Sequence, residues 1–185
     1  MLWFSDLKGY TTIADSAAPE QVIPLLNDYA EVVFSAVDDG GGDILKLIGD
    51  GVLAIFEAAD LAEACCRALR AEERLRSGIE ALNQRRTIAG DPVTSAYLAL
   101  HIGEVFFGNI GSEQRLDFTV VGPAVNEVSR IAAMCRSVER SVLVSSAFAA
   151  VLPAAEKAKL VSVGRYALRG VGRAQELFTL DPAVV

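Results

Sequence analysis

The sequence predicts an α/β sandwich, a sheet with helices on at least one face. Two observations carry this. Short apolar runs of strand length alternate along the chain with longer segments whose apolar residues recur at helical spacing. Glycine- and proline-containing turns separate them. The 185 residues suit one domain spanning 1–185, with no repeat and no low-complexity stretch, and a 52% hydrophobic content allows a substantial core.

Residues 1–6 read as the end of a strand, leading into a short helix after Gly9. The first motif comes so early that little room is left for this strand, so residues upstream, including a regulatory domain, are expected to be missing. Residues 19–38 place Val22, Leu25, Leu26, Tyr29, Val32, Val33 and Ala36 on one helix face, with Pro19 in the first turn and Asp38-Asp39-Gly40-Gly41-Gly42 as the stop. Residues 43–48 and 52–56 are strand-like, and Gly49-Asp50-Gly51 reads as the hairpin turn between them. A long helix is predicted over 58–84, a loop over 85–93 and a strand over 94–102. The glycines of 103–111 suggest a hairpin or bulge, 118–121 is strand-like, and Pro123 opens a helix over 124–136. Val142-Leu143-Val144 reads as a buried strand and Ser145 as the cap of a short helix over 146–151. Two further strands, 159–168 and 175–180, flank Gly170-Val171-Gly172.

Charge and composition narrow the function. A net charge of −7 disfavours a nucleic-acid partner, which demands a basic face. No apolar run reaches the roughly 18 residues of a membrane span, and the start lacks the pattern of a signal peptide. Cys65, Cys66 and Cys135 have no metal-like spacing and read as buried thiols of a reduced, cytoplasmic protein. With His101 as the single histidine, multi-histidine zinc sites and Ser-His-Asp triads are disfavoured.

Two segments, Phe4-Ser5-Asp6-Leu7-Lys8-Gly9-Tyr10-Thr11 and Lys46-Leu47-Ile48-Gly49-Asp50-Gly51-Val52, each set one aspartate at a glycine turn among apolar residues. Two such carboxylates brought together repel unless doubly charged cations lie between them. Mg²⁺ or Mn²⁺, two ions per site held by Asp6 and Asp50, is the economical explanation, and a nucleoside triphosphate the first substrate to consider. Backbone N–H groups at the helix start after Gly9 suit phosphate oxygens. The simpler alternatives are that Asp6 caps that helix and that Asp50 is only a turn residue. In Asp117-Phe118-Thr119-Val120-Val121-Gly122-Pro123-Ala124-Val125-Asn126-Glu127-Val128-Ser129-Arg130, Asn126 and Arg130 stand four apart on one helix face. A neutral donor beside a guanidinium suits a ribose and a phosphate, although a merely solvated face reads the same way.

Taken in order, these motifs, with His101-Ile102-Gly103, Gly108, Gly111 and Leu168-Arg169-Gly170, resemble the class III nucleotide cyclase catalytic domains over nearly the whole chain. The resemblance implies a ferredoxin-like βαββαβ sandwich, α/β in the α+β sense, with a central, mostly antiparallel sheet and flanking helices. It implies conversion of ATP or GTP to the 3′,5′-cyclic monophosphate, here ATP to cyclic AMP on the residues at the purine, with metal ligands Asp6 and Asp50 and a phosphate loop of Leu7, Lys8, Gly9, Tyr10 and Thr11. It further implies Lys46 and Thr119 at the purine, Asn126 and Arg130 at the transition state, and Arg169 at the terminal phosphates. Sites shared across a homodimer are implied as well, and no membrane contact by this domain. A lysine at 46 can only donate, which fits the N1 acceptor of adenine rather than the N1–H of guanine. The alternatives are a guanylate cyclase, a palm-type nucleotidyl transferase or diguanylate cyclase suggested by Gly41-Gly42-Asp43, and a catalytically weak nucleotide-binding dimerisation module.

Overall fold

The computed structural model describes residues 1–112 and 115–181, and only the backbone of residues 115–118. Asp117 and Phe118 therefore have no described side chains, and residues 182–185 of the expected domain lie outside the described residues.

Strand β1 (Leu2–Leu7) is an inner strand of the sheet. It pairs antiparallel with β3 (Gly51–Ile55) on one side and with β4 (Ala96–His101) on the other. β2 (Asp43–Ile48) closes the first edge, and β7 (Val142–Ser145), β9 (Gln175–Leu180) and β8 (Leu160–Tyr166) extend the other. The resulting seven-stranded order is β2-β3-β1-β4-β7-β9-β8, and its one parallel pair is β4 with β7. The mostly antiparallel sheet expected from the resemblance is what forms. β1 has six residues and a partner on both edges.

The alternation of side chains along β1 builds two cores. Trp3 and Leu7 face α2 (Pro19–Asp39) and α3 (Leu61–Ala89), where they join Tyr29, Val33, Ala68 and Leu75. Leu2 faces the other way, toward Val128, Ile131 and Cys135 of α4 (Pro123–Ser137). Phe4 packs against that second cluster, so Asp6, two residues on, is presented to the α4 side. The thiols of Cys65 and Cys135 are buried in these helices, and burial pushes both up to about 12.

Helix ends follow their local chemistry. Asp60 accepts the Ala62 N–H at 3.0 Å and starts α3, and Gly90, at φ 76°, ends it. The helix therefore runs five residues beyond the predicted stop, because Arg86 is held by Asp28 and by the Pro92 carbonyl while Asn83 exchanges hydrogen bonds with Thr94. The predicted loop over 85–93 shrinks accordingly. Two short helices, α1 (Tyr10–Ser16) and α5 (Ser146–Val151), follow Gly9 and Ser145 as expected, and Ser145 Oγ accepts from Phe148 at 3.2 Å. The four-residue α6 (Ala154–Lys157) went unforeseen.

The glycine-rich segment becomes β5 (Phe106–Ser112), which pairs antiparallel with β6 (Arg115–Val121) as a ribbon separate from the main sheet. Phe106, Phe107, Ile110 and Val121 are exposed along it. No helix among the described residues is long and apolar enough to cross a membrane.

Trp3 is fully buried and meets Phe56 at a ring centroid distance of 6.0 Å. Trp3→Ala is expected to cost about 3–5 kcal/mol of folding stability, read as a lowered urea midpoint with an unchanged slope.

Candidate functional site

The β2–β3 hairpin and the end of β1 bring the two predicted acids together. Gly49, at φ 64°, supplies the left-handed turn residue before Asp50, and Ser5 of β1 pairs with Val52 of β3. Gly51 is needed for a different reason: a Cβ there would stand 2.9 Å from Phe4 Cζ and 3.3 Å from the Ser5 carbonyl. The hairpin can therefore lie close against β1, and the Asp50 carboxyl reaches that of Asp6. Half-burial raises the Asp6 pKa first, and the facing Asp50 carboxyl raises it further, to about 7; the Leu7 N–H, donating to Asp6 Oδ1 at 3.1 Å, pulls the other way. Asp6 does not cap α1, whose N-cap is Gly9 at φ 73° with no side-chain cap bond.

No group of three or more His, Cys, Asp or Glu that could hold a metal exists among the described residues. Two convergent carboxylates nonetheless fit Mg²⁺, which keeps most of its shell for water and substrate phosphates and takes only one or two protein carboxylates. Beside them, the Leu7–Thr11 segment turns at Gly9, where the position a Cβ would take is open, with no atom within 4 Å. Lys8 anchors this turn through its N–H to the Ser95 carbonyl at 2.8 Å.

Lys46 and Thr119 sit on neighbouring elements. Lys46 follows a bulge in β2 and pairs with Leu53, while Thr119 pairs with Gly108 in the ribbon, and β6 packs near β2. Asn126 and Arg130 are both exposed on α4, one turn apart, while Ala124, Val128 and Ile131 bury the opposite stripe against the sheet. Arg169 is exposed in the turn between β8 and β9, just before Gly170 at φ 78°. That turn is tied to α4, because Gln175 Nε2 donates to Glu127 Oε2 at 3.2 Å and buried Leu168 joins the α4 cluster. His101 is buried, with Nε2 3.6 Å from Glu127 Oε2, and burial lowers its pKa. Glu127 and Gln175, which set the position of the Asn126 helix, escaped the sequence reading; a glutamate beside the asparagine carries no signal of its own.

Within one chain the predicted residues do not form one site. α4 starts beside His101, the register partner of Leu2, and ends beside Leu98, whose carbonyl lies 3.6 Å from Cys135 Sγ. Asp6 lies four residues along β1 from Leu2, about 13 Å away. The acids and the start of α4 therefore mark opposite ends of the same sheet face. A groove of about 1040 Å³ runs between α2 and α3 on the far side and holds none of these residues.

Comparison with known proteins agrees with this architecture. Adenylate cyclase 1 of Rhizobium meliloti is 36% identical over 152 residues, 80% of this chain and 22% of that protein. The chain spans about a quarter of the length of the curated relatives it matches first. The crystal structure of the adenylyl cyclase CyaB from P. aeruginosa superposes with a TM-score of 0.84 at 24% identity, over 97% of this chain and 91% of that one, and so shares the fold. The guanylyl cyclase Cya2 superposes with a TM-score of 0.79 at 26% identity, over 97% and 89%. The family profile described as the adenylate and guanylate cyclase catalytic domain matches residues 1–181, and the chain belongs to that family.

Proposed function

We propose that residues 1–185 form one catalytic domain that converts ATP to 3′,5′-cyclic AMP and pyrophosphate, in sites shared by two copies of the chain. The observation that carries this reading is the meeting of the Asp6 and Asp50 carboxyls at the end of β1. Asp6 and Asp50 would hold the divalent ions, Mg²⁺ or Mn²⁺, which when bound neutralise the triphosphate and acidify the ribose 3′-hydroxyl. The Leu7–Thr11 backbone receives phosphate oxygens. Lys46 donates to adenine N1, with Thr119 beside it, and Asn126 orients the ribose. The 3′-oxygen bonds to the α-phosphorus as the bond from that phosphorus to the bridging oxygen breaks. Arg130 stabilises the charge that builds on the α-phosphate, and Arg169 takes up charge on the departing pyrophosphate. None of these side chains is a general base, so the proton passes to solvent.

Sharing between copies is supported by the placement of the acids and the start of α4 at opposite ends of one sheet face. A two-fold partner laid antiparallel across it would set Asn126 and Arg130 of one copy against Asp6 and Asp50 of the other. The exposed apolar residues of the β5–β6 ribbon suit such an interface.

The direct test is product formation from ATP with Mn²⁺, with GTP offered separately; cyclic AMP is expected, and preferential turnover of GTP would show Lys46 to be misread. Lys46→Glu is expected to lower the ATP-to-GTP ratio of kcat/KM by about tenfold or more. Asp50→Asn is expected to abolish turnover while leaving a folded protein. It carries a second signature. A carboxyl whose pKa is raised on folding contributes stability below its unfolded value, and loses it as pH climbs toward the folded value of about 7. In chelator, Asp50→Asn should therefore unfold later than the parent at pH 8, by about 1 kcal/mol after allowing for solvent screening, and equally at pH 4. Inactive Asp6→Ala and Arg130→Ala chains, mixed, are expected to regain part of the activity through one intact site per heterodimer. Silence from such a mixture, with dimers demonstrated by ultracentrifugation, would reject shared sites.

A further inference from the structure

Three cations crowd a small cavity at the C-terminal end of α4. Lys8, Tyr97, Arg136, Glu139, Arg140 and Ser141 line about 340 Å³ there. The cavity adjoins the acids: Tyr97 is the register partner of Asp6, and Lys8 lies two residues beyond it. Lys8 Nζ stands 5.7 Å from the centre of the Tyr97 ring, so the aromatic face holds the ammonium at the cavity wall.

The arginines arrive by a shaped turn. α4 ends with Arg140 N–H on the Cys135 carbonyl at 3.0 Å, and Glu139 takes φ 53°, a left-handed conformation rare outside glycine. Arg136 in the last helical turn and Arg140 just past it thus line one cavity. Among the described residues, none of the three cations forms an ion pair. Cations near a helix C-terminus are favoured by its dipole, which accounts for the arginines. It does not account for Lys8, which comes from a different element. In a chain of net charge −7, three cations against the single carboxylate of Glu139 make a local excess that a polyanion would relieve.

We infer that Lys8, Arg136 and Arg140 bind a pyrophosphoryl group. Guanidinium forks match phosphate oxygens two at a time, and three separated cations suit a group carrying several charges over two phosphorus atoms. Two sources share this chemistry: the terminal phosphates of the nucleotide and the free pyrophosphate product. The assignment of source rests on the proposed cyclase reading; the affinity of the cavity for the group does not.

The test is calorimetric titration of inorganic pyrophosphate into the protein in metal-free buffer, which removes any ion-mediated binding at Asp6 and Asp50. Arg136→Ala and Arg140→Ala are each expected to weaken binding about tenfold, and Arg140→Glu more. Arg85→Ala, which removes an exposed arginine in the α2–α3 groove, should stay within twofold. Circular dichroism verifies the fold, and Arg136→Gln and Arg140→Gln provide milder variants that keep the side-chain bulk. If KM for ATP rises in step with the pyrophosphate constant while kcat moves less, the group held is the tail of the substrate. If the pyrophosphate constant weakens and KM does not, it is the free product. Pyrophosphate affinity equal to the parent in the Arg136→Ala/Arg140→Ala double variant overturns the site, and does so whether or not the chain turns ATP over. An inactive parent with normal, arginine-dependent pyrophosphate binding would instead sink the cyclase reading and leave the cavity standing.

Discussion

Two carboxyl groups facing each other at the end of β1 set the terms for the rest of the molecule. Bringing them together raises the free energy of the metal-free fold, because the Asp50 carboxyl disfavours ionisation of half-buried Asp6. That cost is tolerated because the surrounding scaffold over-determines the geometry. β1 is hydrogen-bonded on both edges, Trp3 and Leu7 lock one face, and Leu2 and Phe4 lock the other. Gly51 keeps the hairpin close because a larger residue would meet Phe4 and the Ser5 carbonyl. That repulsion is relieved by a proton on Asp6 or, in the proposed reading, by a divalent cation between the acids.

The same rigidity limits what one chain can do alone. A sheet that holds Asp6 at one end and the first turn of α4 at the other cannot fold those groups onto each other without breaking strand pairs. Glu127, Gln175 and His101 reinforce the separation by tying α4 and the Arg169 turn to the far end of the sheet. In the proposed reading a second copy completes the constellation by two-fold symmetry, since every chain carries both halves.

Much of this was legible in the residues because it depended on local rules. The Gly49-Asp50-Gly51 hairpin, the Pro19 and Pro123 helix starts and the Ser145 cap each follow from the conformational preference of one or two residues. The order of motifs identified the family and with it the antiparallel sheet. What escaped depended on distant partners. The extra turns of α3 exist because Asp28, Pro92 and Thr94 bond to Arg86 and Asn83, and no window around residue 85 contains Asp28. The ribbon β5–β6 was hard to place for the opposite reason: its glycines and exposed apolar residues satisfy no core pattern of their own. The partnership of Glu127 with Gln175 spans 48 residues and has no periodic signature.

For an acidic chain, the triphosphate proposed as its ligand poses a problem of charge placement. With 24 acidic and 17 basic side chains, the long-range field repels a triphosphate, so binding has to come from short-range attraction at chosen points. The distribution of basic groups follows that requirement. On α3, Arg67, Arg70 and Arg76 are engaged with Glu63 and Glu72 of the same helix, and buried Arg86 is held by Asp28. On the α4 side, Lys8, Arg136 and Arg140 carry no such partner among the described residues, and they stand around the end of the sheet where the acids meet. Cations neutralised at home contribute to folding; cations left without an acid are available to a ligand. These three cations stand on the face that also carries Asp6 and α4.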